Sequence, residues 1–212
     1  MKNMTIQHFA MQTASHEPVP GGGSISALAG SLAAALTEMV AGLTIGKKKY
    51  AEAEEEMKAA IEVMRPVRDQ LLDDIKRDSE SFDQYMQALA LPKETEEEKA
   101  ARTEAMQNGL KAAVAVPLSV AKTACQILPY AETMVTKGNK TAVTDALVAA
   151  MMARTAVLGA GFNVKINLES IKDQEYVDRI GKEVEDLEKQ AIEQEKKILA
   201  KVRVSQNASE LV

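Results

Sequence analysis

SISALAGSLAAALTEMVAGLTIG, which spans residues 24–46, decides the fold of this 212-residue chain. The segment carries a single charge, Glu38, and consists mostly of Ala, Gly, Ser and Thr. It is long enough to cross a bilayer, but it has few large apolar side chains and would place Glu38 deep in lipid. Small side chains instead let neighbouring helices approach closely, so we interpret the segment as a helix buried inside a protein and expect no membrane partner.

The composition of the whole chain also favours helices. Hydrophobic residues make up 46% of it but aromatic residues only 3%, so Ala, Leu, Val, Ile and Met must form the core. No segment has the alternation of a strand. We therefore predict one all-α domain over residues 1–212, an up-and-down-type helical bundle with long kinked helices. The net charge of −5 argues against a nucleic-acid partner, and the single cysteine suits a cytoplasmic protein.

Apolar spacing near 3.6 residues predicts six helices. Ser24 is a suitable N-cap for the second helix, and Thr95 with Glu98 forms a capping box at the start of the fourth. The predicted ranges are 5–13, 24–46, 50–89, 95–135, 141–168 and 173–204. Kinks, breaks or bends are expected at three prolines, Pro66, Pro117 and Pro129.

The fifth predicted helix is apolar on all sides, which is typical of a helix buried between layers. Its one charge between Asp145 and Lys165 is Arg154, and a buried arginine needs a partner. Glu38, the lone charge of the second helix, is a candidate for that partner. Two such buried helices also need a second layer of structure, which a homodimer would supply.

The usual catalytic signatures are missing from the sequence. His8 and His16 have no ligand spacing around them, so neither a metal site nor a histidine-based triad is expected. Cys125 lies in an apolar stretch and is interpreted as a core residue. The GGGS sequence lacks the Gly-Lys-Ser/Thr of a phosphate-binding loop, and no strand precedes it as a dinucleotide fingerprint requires.

Three clusters remain as candidates, each with a plain alternative. The glycines before Ser24 permit close approach of a ligand to the backbone, but glycine runs also occur in simple turns. The lysines in TIGKKKY suit a carboxylate-rich or phosphate-rich ligand, or merely the end of a helix. Asp83 flanks the apolar stripe of the third helix, where it is either an acid–base group or part of a solvated face.

Six short motifs together resemble a known family. They are PVPGGGSISALAG, LTIGKKKY, SFDQYMQALALPK, AVPLSVA, GNKTAVTDA and GAGFNVKINL. In this order and at about these spacings they are similar to the cyclodeaminase/cyclohydrolase family of folate enzymes, over residues 5–202. The resemblance implies an all-helical homodimer with a tetrahydrofolate-binding cleft and no metal or redox cofactor.

The resemblance also implies which residues form the site. Asp83 becomes the catalytic or pterin-contacting carboxylate, and Lys47 suits the glutamate tail of a folate. Asp145 and Asn163 lie five turns apart on one helix, so they cannot both touch one small group. The substrate-binding residues implied are Gly21, Gly22, Gly23, Ser24, Lys47, Asp145, Asn163 and Asn167.

The family resembled carries out two reactions at the bridge between N5 and N10 of tetrahydrofolate. A cyclohydrolase adds water to the methenyl carbon, and a cyclodeaminase closes the ring from the N5-formimino compound with loss of ammonia. Because this sequence carries no formiminotransferase segment, we expect the cyclohydrolase and keep the cyclodeaminase as the alternative. A non-enzymatic helical interaction protein, suggested by the heptad-like last helix, is a third and more distant possibility.

Overall fold

The computed structural model describes residues 3–202, and within that range all regular secondary structure is helical, with no strand. The predicted all-α bundle is therefore confirmed for these residues. Two 3-10 helices, Lys48–Ala53 and Lys140–Ala142, connect longer elements. The α-helices are α1 (Ile6–Thr13), α2 (Gly22–Gly42), α3 (Glu54–Leu89), α4 (Glu96–Cys125), α5 (Ile127–Lys137), α6 (Val143–Leu168) and α7 (Gln174–Leu199).

The small-residue helix α2 lies at the centre of the bundle, as predicted. It packs chiefly against α3 and α6, while α4 and α7 cover the other sides of α6. A Cβ added at Gly30 would lie only 3.0 Å from Leu71 Cδ1 of α3, so the absence of a side chain sets this spacing. Fully buried alanines line both helices, among them Ala27, Ala33, Ala34, Ala149, Ala153 and Ala156.

The predicted breaks at Pro66 and Pro117 are wrong, and the predicted kink at Pro66 stays a prediction. Neither Pro66 nor Pro117 ends its helix, because α3 and α4 run continuously through them. Each removes a backbone hydrogen bond at a cost of about 3 kcal/mol, which the packing of two long helices outweighs. The chain instead breaks at Gln126, and Pro129 lies in the first turn of α5, where backbone N–H groups have no helical partner to lose.

The predicted caps are partly confirmed. Thr95 and Glu98 form the capping box, since each side chain accepts a hydrogen bond from the other residue's backbone N–H. The N-cap of α2 is Gly21 rather than Ser24, because Ser24 lies inside the first turn and points its hydroxyl towards α3. Helix α7 ends at Leu199, and the predicted end at Val204 lies outside the described residues.

The predicted partnership between Arg154 and Glu38 is wrong. Glu38 of α2 pairs with Arg68 of α3, with Nη1 and Oε1 3.0 Å apart. Arg154 of α6 pairs with Glu195 of α7, with Nε and Oε2 3.3 Å apart. Each charge finds its partner on the helix packed alongside its own, so neither pair crosses from α2 to α6.

Three helical stretches are long and apolar enough to span a membrane, judged by length and composition alone. They are Gly22–Gly42, Glu96–Lys137 and Lys140–Leu168. In the bundle, 56%, 67% and 50% of their most apolar windows are buried. The absence of a membrane partner stays a prediction.

We expect a Gly30→Val substitution to lower the free energy of unfolding by about 1–3 kcal/mol, because the added atoms would press on Leu71. Gly42→Val is the matched control on the same helix, since a Cβ there meets nothing within 4 Å. Urea unfolding of both variants measures the difference. Equal losses of stability at both positions would show that the close approach of α2 to α3 does not cause the loss at Gly30.

Candidate active site

The glycine loop lies at the N-terminal end of α2 and is enclosed by α3 and α6. A Cβ on Gly22 would lie 3.1 Å from Asn163 Nδ2 of α6, and a Cβ on Gly23 would collide with the Asp78 carboxylate of α3. The glycines therefore let two polar side chains approach the start of the helix. The sequence predicted close approach of a ligand, whereas the groups that approach within this chain belong to the protein.

Asp78 is the carboxylate at this loop. Its Oδ2 accepts a hydrogen bond of 2.9 Å from the Ser24 hydroxyl, which also lies 3.2 Å from the Ile75 carbonyl oxygen. Burial raises the pKa of Asp78, while hydrogen bonds from Ser24 oppose that rise and nearby Asp74 adds to it. A carboxyl whose pKa is raised towards neutral pH can both take and return a proton.

Two asparagines of α6 stand beside the loop, one helical turn apart. The Asn163 amide donates to the Gly159 carbonyl at 2.8 Å, and the Asn167 amide donates to the carbonyls of Ala113 and Asn163. Both amides thus hold fixed positions against the backbone. The structure therefore brings together the loop glycines, Ser24, Asp78 and Asn163, with Asn167 one turn further along.

Lys47 and Asp145 lie at the opposite end of the bundle. Helix α2 has 21 residues, so about 30 Å separates the loop from Gly42, and Lys47 follows that end. Asp145 lies in the first turn of α6, about 27 Å along the helix from Asn163. Within one chain, these two residues therefore cannot touch a small group held at the glycine loop, and their predicted binding roles stay predictions.

The segment GNK, residues 138–140, joins α5 to α6 at that far end. The Asn139 backbone N–H donates to Thr44 Oγ1 at 2.9 Å, and the Lys140 backbone N–H donates to the Tyr50 hydroxyl at 3.0 Å. A surface cavity of about 390 Å³ beside it is lined partly by Lys49 and Lys137. This motif fastens the end of α2 to the start of α6, which gives it a structural role.

Asp83 is exposed, and the structure does not bring it to the loop. It follows Asp78 by five residues, which rotates it about 140° around the axis of α3. Its predicted catalytic role stays a prediction that no comparison tests. Among the described residues no three His, Cys, Asp or Glu side chains are grouped to hold a metal, and the prediction of no metal cofactor likewise stays open.

Asp78 was missed at the level of sequence, although the sequence contains a signal for it. Met57, Met64 and Leu71 are fully buried and follow one another at steps of seven residues. Asp78 is the next residue in that series. A carboxylate therefore occupies a position at which the seven-residue pattern predicts a large apolar side chain. A charged residue in such a place is a candidate for function.

Comparisons with known proteins relate nearly the whole chain to enzymes. The family model described as formiminotransferase-cyclodeaminase matches residues 5–186. A methenyltetrahydrofolate cyclohydrolase of Methylorubrum extorquens is 40% identical, over 87% of this chain and 89% of that protein. A crystal structure of a formiminotetrahydrofolate cyclodeaminase from Thermotoga maritima superposes with a TM-score of 0.83, is 32% identical and covers 93% of this chain and 94% of that one.

A longer relative matches over one part of its length. The formimidoyltransferase-cyclodeaminase of Sus scrofa is 31% identical over 95% of this chain, but the match covers only 37% of that protein. Together with the bundle and its buried carboxyl, these matches define a helical enzyme domain. The chain belongs to the formiminotransferase-cyclodeaminase family, which confirms the resemblance found in its motifs.

We expect Gly23→Ala to lower the free energy of unfolding by about 1–3 kcal/mol, because the added methyl collides with the Asp78 carboxylate. Combining it with Asp78→Ala should relieve the collision, so the double variant should lose less than the sum of the two single losses. Urea unfolding of the three variants measures the coupling. Gly181→Ala on α7, where a Cβ meets nothing within 4 Å, is the control.

Proposed function

We propose that the chain is a 5,10-methenyltetrahydrofolate cyclohydrolase. The observation that carries the proposal is the Asp78 carboxyl, whose pKa is raised by burial and which stands beside a glycine loop and a fixed amide. A cyclohydrolase 40% identical over most of both chains supports the choice of reaction. The N5–N10 bridge of the folate would lie at the mouth of the loop.

The reaction needs a group that can move protons in two directions. Water adds to the cationic methenyl carbon and loses one proton, which gives a neutral tetrahedral carbon between two nitrogens. The bond from that carbon to N5 then breaks, the hydroxyl proton is lost and N5 gains a proton, which leaves the formyl group on N10. The net products are 10-formyltetrahydrofolate and one released proton.

Asp78 suits both steps. As a carboxylate it attracts the cationic substrate and accepts the proton of the attacking water, and as a carboxylic acid it returns a proton to N5. Its carboxyl accepts from Ser24, which holds it in one position at the loop. The side chains of Asn163 and Asn167 would border the pterin ring, and the glycines would let that ring approach the backbone.

The cyclodeaminase reaction is the second candidate, because the solved relative from Thermotoga maritima carries that name. It passes through a similar tetrahedral carbon and needs an acid to expel ammonia. The relatives are all named as enzymes, so a non-enzymatic interaction protein finds no support among them. Assaying the purified chain with the methenyl and the N5-formimino substrates separates the two reactions.

We expect Asp78→Asn to reduce kcat/KM for the methenyl substrate by roughly two to four powers of ten, the range for a lost acid–base group. Asp83→Asn is the comparison, because Asp83 is the carboxylate that the motifs favour. A large loss for Asp78→Asn with a small loss for Asp83→Asn assigns the role to the loop. The reverse pattern would return the role to Asp83.

We also propose that the chain is a homodimer, paired through an apolar face that α2 and α6 leave exposed. On α2 the exposed large side chains recur at steps of seven and four residues, and those on α6 lie on the adjoining surface. Their side chains are between 38% and 67% exposed. They are Ile25, Leu32, Met39 and Leu43 on α2, and Val148, Met151, Phe162 and Ile166 on α6.

A second copy fits this face because α2 would pair with its own copy in the antiparallel sense. A two-fold axis near the middle of α2 then places the loop end of one protomer beside the lysine end of the other. The partner's Lys47 would thereby come within reach of a folate glutamate tail held at the loop. This arrangement reconciles the predicted role of Lys47 with its place beyond Gly42, which lies about 30 Å along α2 from Gly22 in the same chain.

We expect Leu32→Asp to turn a dimer into a monomer at micromolar concentration, because it buries a charge at the centre of the face. Val63→Asp is the matched control, since Val63 is a similarly exposed apolar residue on α3, outside that face. Light scattering of both variants measures the mass. A monomeric parent protein, or dissociation of both variants alike, would contradict the proposed face.

A further inference from the structure

A short line of polar side chains runs along one side of α3, from the exposed Gln70 through the buried Asp74 to the half-buried Asp78 at the glycine loop. Gln70, Asp74 and Asp78 follow one another at four-residue steps, so they lie on one face of the helix. The Gln70 amide donates to Thr123 Oγ1 of α4 at 3.2 Å. The buried residues on the adjoining surface of α3 are Met64, Leu71 and Ile75, so Asp74 is a charged exception among apolar side chains.

Asp74 is the fully buried residue of this line. Its side chain is 0% exposed. One carboxyl oxygen accepts from Arg77, whose side chain is half exposed, but Oδ2 has no hydrogen-bond partner in the part of the chain that the structure describes. A buried carboxylate with an unsatisfied oxygen destabilises a protein, so its presence calls for another explanation.

Asp74 stands one helical turn before Asp78, with about 5–6 Å between the Cβ atoms of residues so placed. Two carboxylates this close in a poorly solvated site cannot both ionise freely. We propose that Asp74 is a positioning residue that acts on Asp78, so that the two carboxyls hold one proton between them at neutral pH and present it at the loop. The proposal rests on the proposed function, because it concerns the acid–base group of that site.

The groups around the pair agree with this division of roles. The charged neighbours of Asp74 on its own helix are Arg77, which favours the carboxylate form, and Asp73, which opposes it. The hydrogen bonds that reach the pair from other helices come from uncharged groups: Ser24 of α2 donates to Asp78, and Gln70, which hydrogen-bonds Asp74, also donates to Thr123 of α4. Burial is the largest influence on both carboxyls, and it raises the pKa of each.

The sign of the pH dependence follows from these raised pKa values. A carboxyl whose pKa is higher in the folded than in the unfolded protein makes the folded state bind more protons. Stability is then greatest at acid pH and falls as the pH rises through the unfolded and then the folded pKa. When two such carboxyls also repel each other, ionising both of them lowers the free energy of unfolding by more than ionising either one alone.

The first experiment measures urea unfolding at pH 4 and pH 8 for the parent protein, Asp74→Asn, Asp78→Asn and the double variant. We expect the parent to lose more stability between these two pH values than either single variant does. The effects of the two substitutions should be coupled at pH 8, where removing one charge relieves the repulsion on the other carboxylate. The coupling should be weaker at pH 4, where the raised pKa values favour the protonated forms. Asp73→Asn, a change of the same charge at the exposed neighbouring position, is the control.

The proposal would be overturned if the stability effects of Asp74→Asn and Asp78→Asn were additive at both pH values. It would also be overturned if Asp73→Asn changed the loss of stability between pH 4 and pH 8 as much as Asp74→Asn does. Arg77→Gln supplies a second test that leaves both carboxyls in place, should Asp74→Asn fail to fold. It removes the cation that favours the ionised form, so the loss of stability between pH 4 and pH 8 should increase. An unchanged or smaller loss would contradict the pairing.

The second experiment follows kcat/KM for the methenyl substrate against pH. Asp74→Asn should move the acidic limb measurably towards acid, because a like charge no longer raises the pKa of Asp78. A merely structural role for Asp74 would lower the rate without moving the limb. If no variant or parent shows folate turnover, the proposed function fails, while coupling measured by unfolding still decides whether Asp74 and Asp78 share a proton.

Discussion

The close approach of α2 to α3 and α6 is the constraint on which the rest of the structure depends. Gly22, Gly23 and Gly30 each stand where a side chain would press on a neighbouring helix. Alanines fill the remaining contact surface between α2 and α6, so the core gains its packing from many small contacts rather than from a few large side chains. A bundle built this way has little free volume, and a polar group inside it must be matched to its neighbours.

This spacing explains why the polar site lies where it does. The start of α2 offers backbone N–H groups with no helical partner, and the absence of side chains on Gly22 and Gly23 lets Asp78 and Asn163 reach that point. The same closeness partly buries the Asp78 carboxyl, and this burial raises its pKa. One packing feature thus supplies both the room for the site and the electrostatic condition for acid–base chemistry.

The sequence alone predicted the fold class and the family correctly, but it predicted the effects of prolines, the ion-pair partners and the buried carboxylate less well. Periodicity and the capping box of Thr95 and Glu98 are local features, and the structure bears them out. The effect of Pro66 and the partner of Arg154 depend on which helices pack together, and a single sequence does not contain that information directly. The sequence analysis missed Asp78 for a related reason. Its place becomes evident only when the buried seven-residue series of α3 is seen to pack against Gly23, which lies 55 residues earlier in the chain.

The six motifs that identify the family do not all belong to one site, and the length of α2 shows why. The motif residues at its two ends stand about 30 Å apart. At one end the motif places Ser24 and its glycines against Asp78, where ionisable chemistry is available. At the other end Asn139 bonds to Thr44 and Lys140 to Tyr50, which fixes the joint between α5 and α6. A motif therefore indicates that a residue matters, whereas burial, charge and hydrogen-bond partners decide whether it acts on a ligand or holds two helices in register.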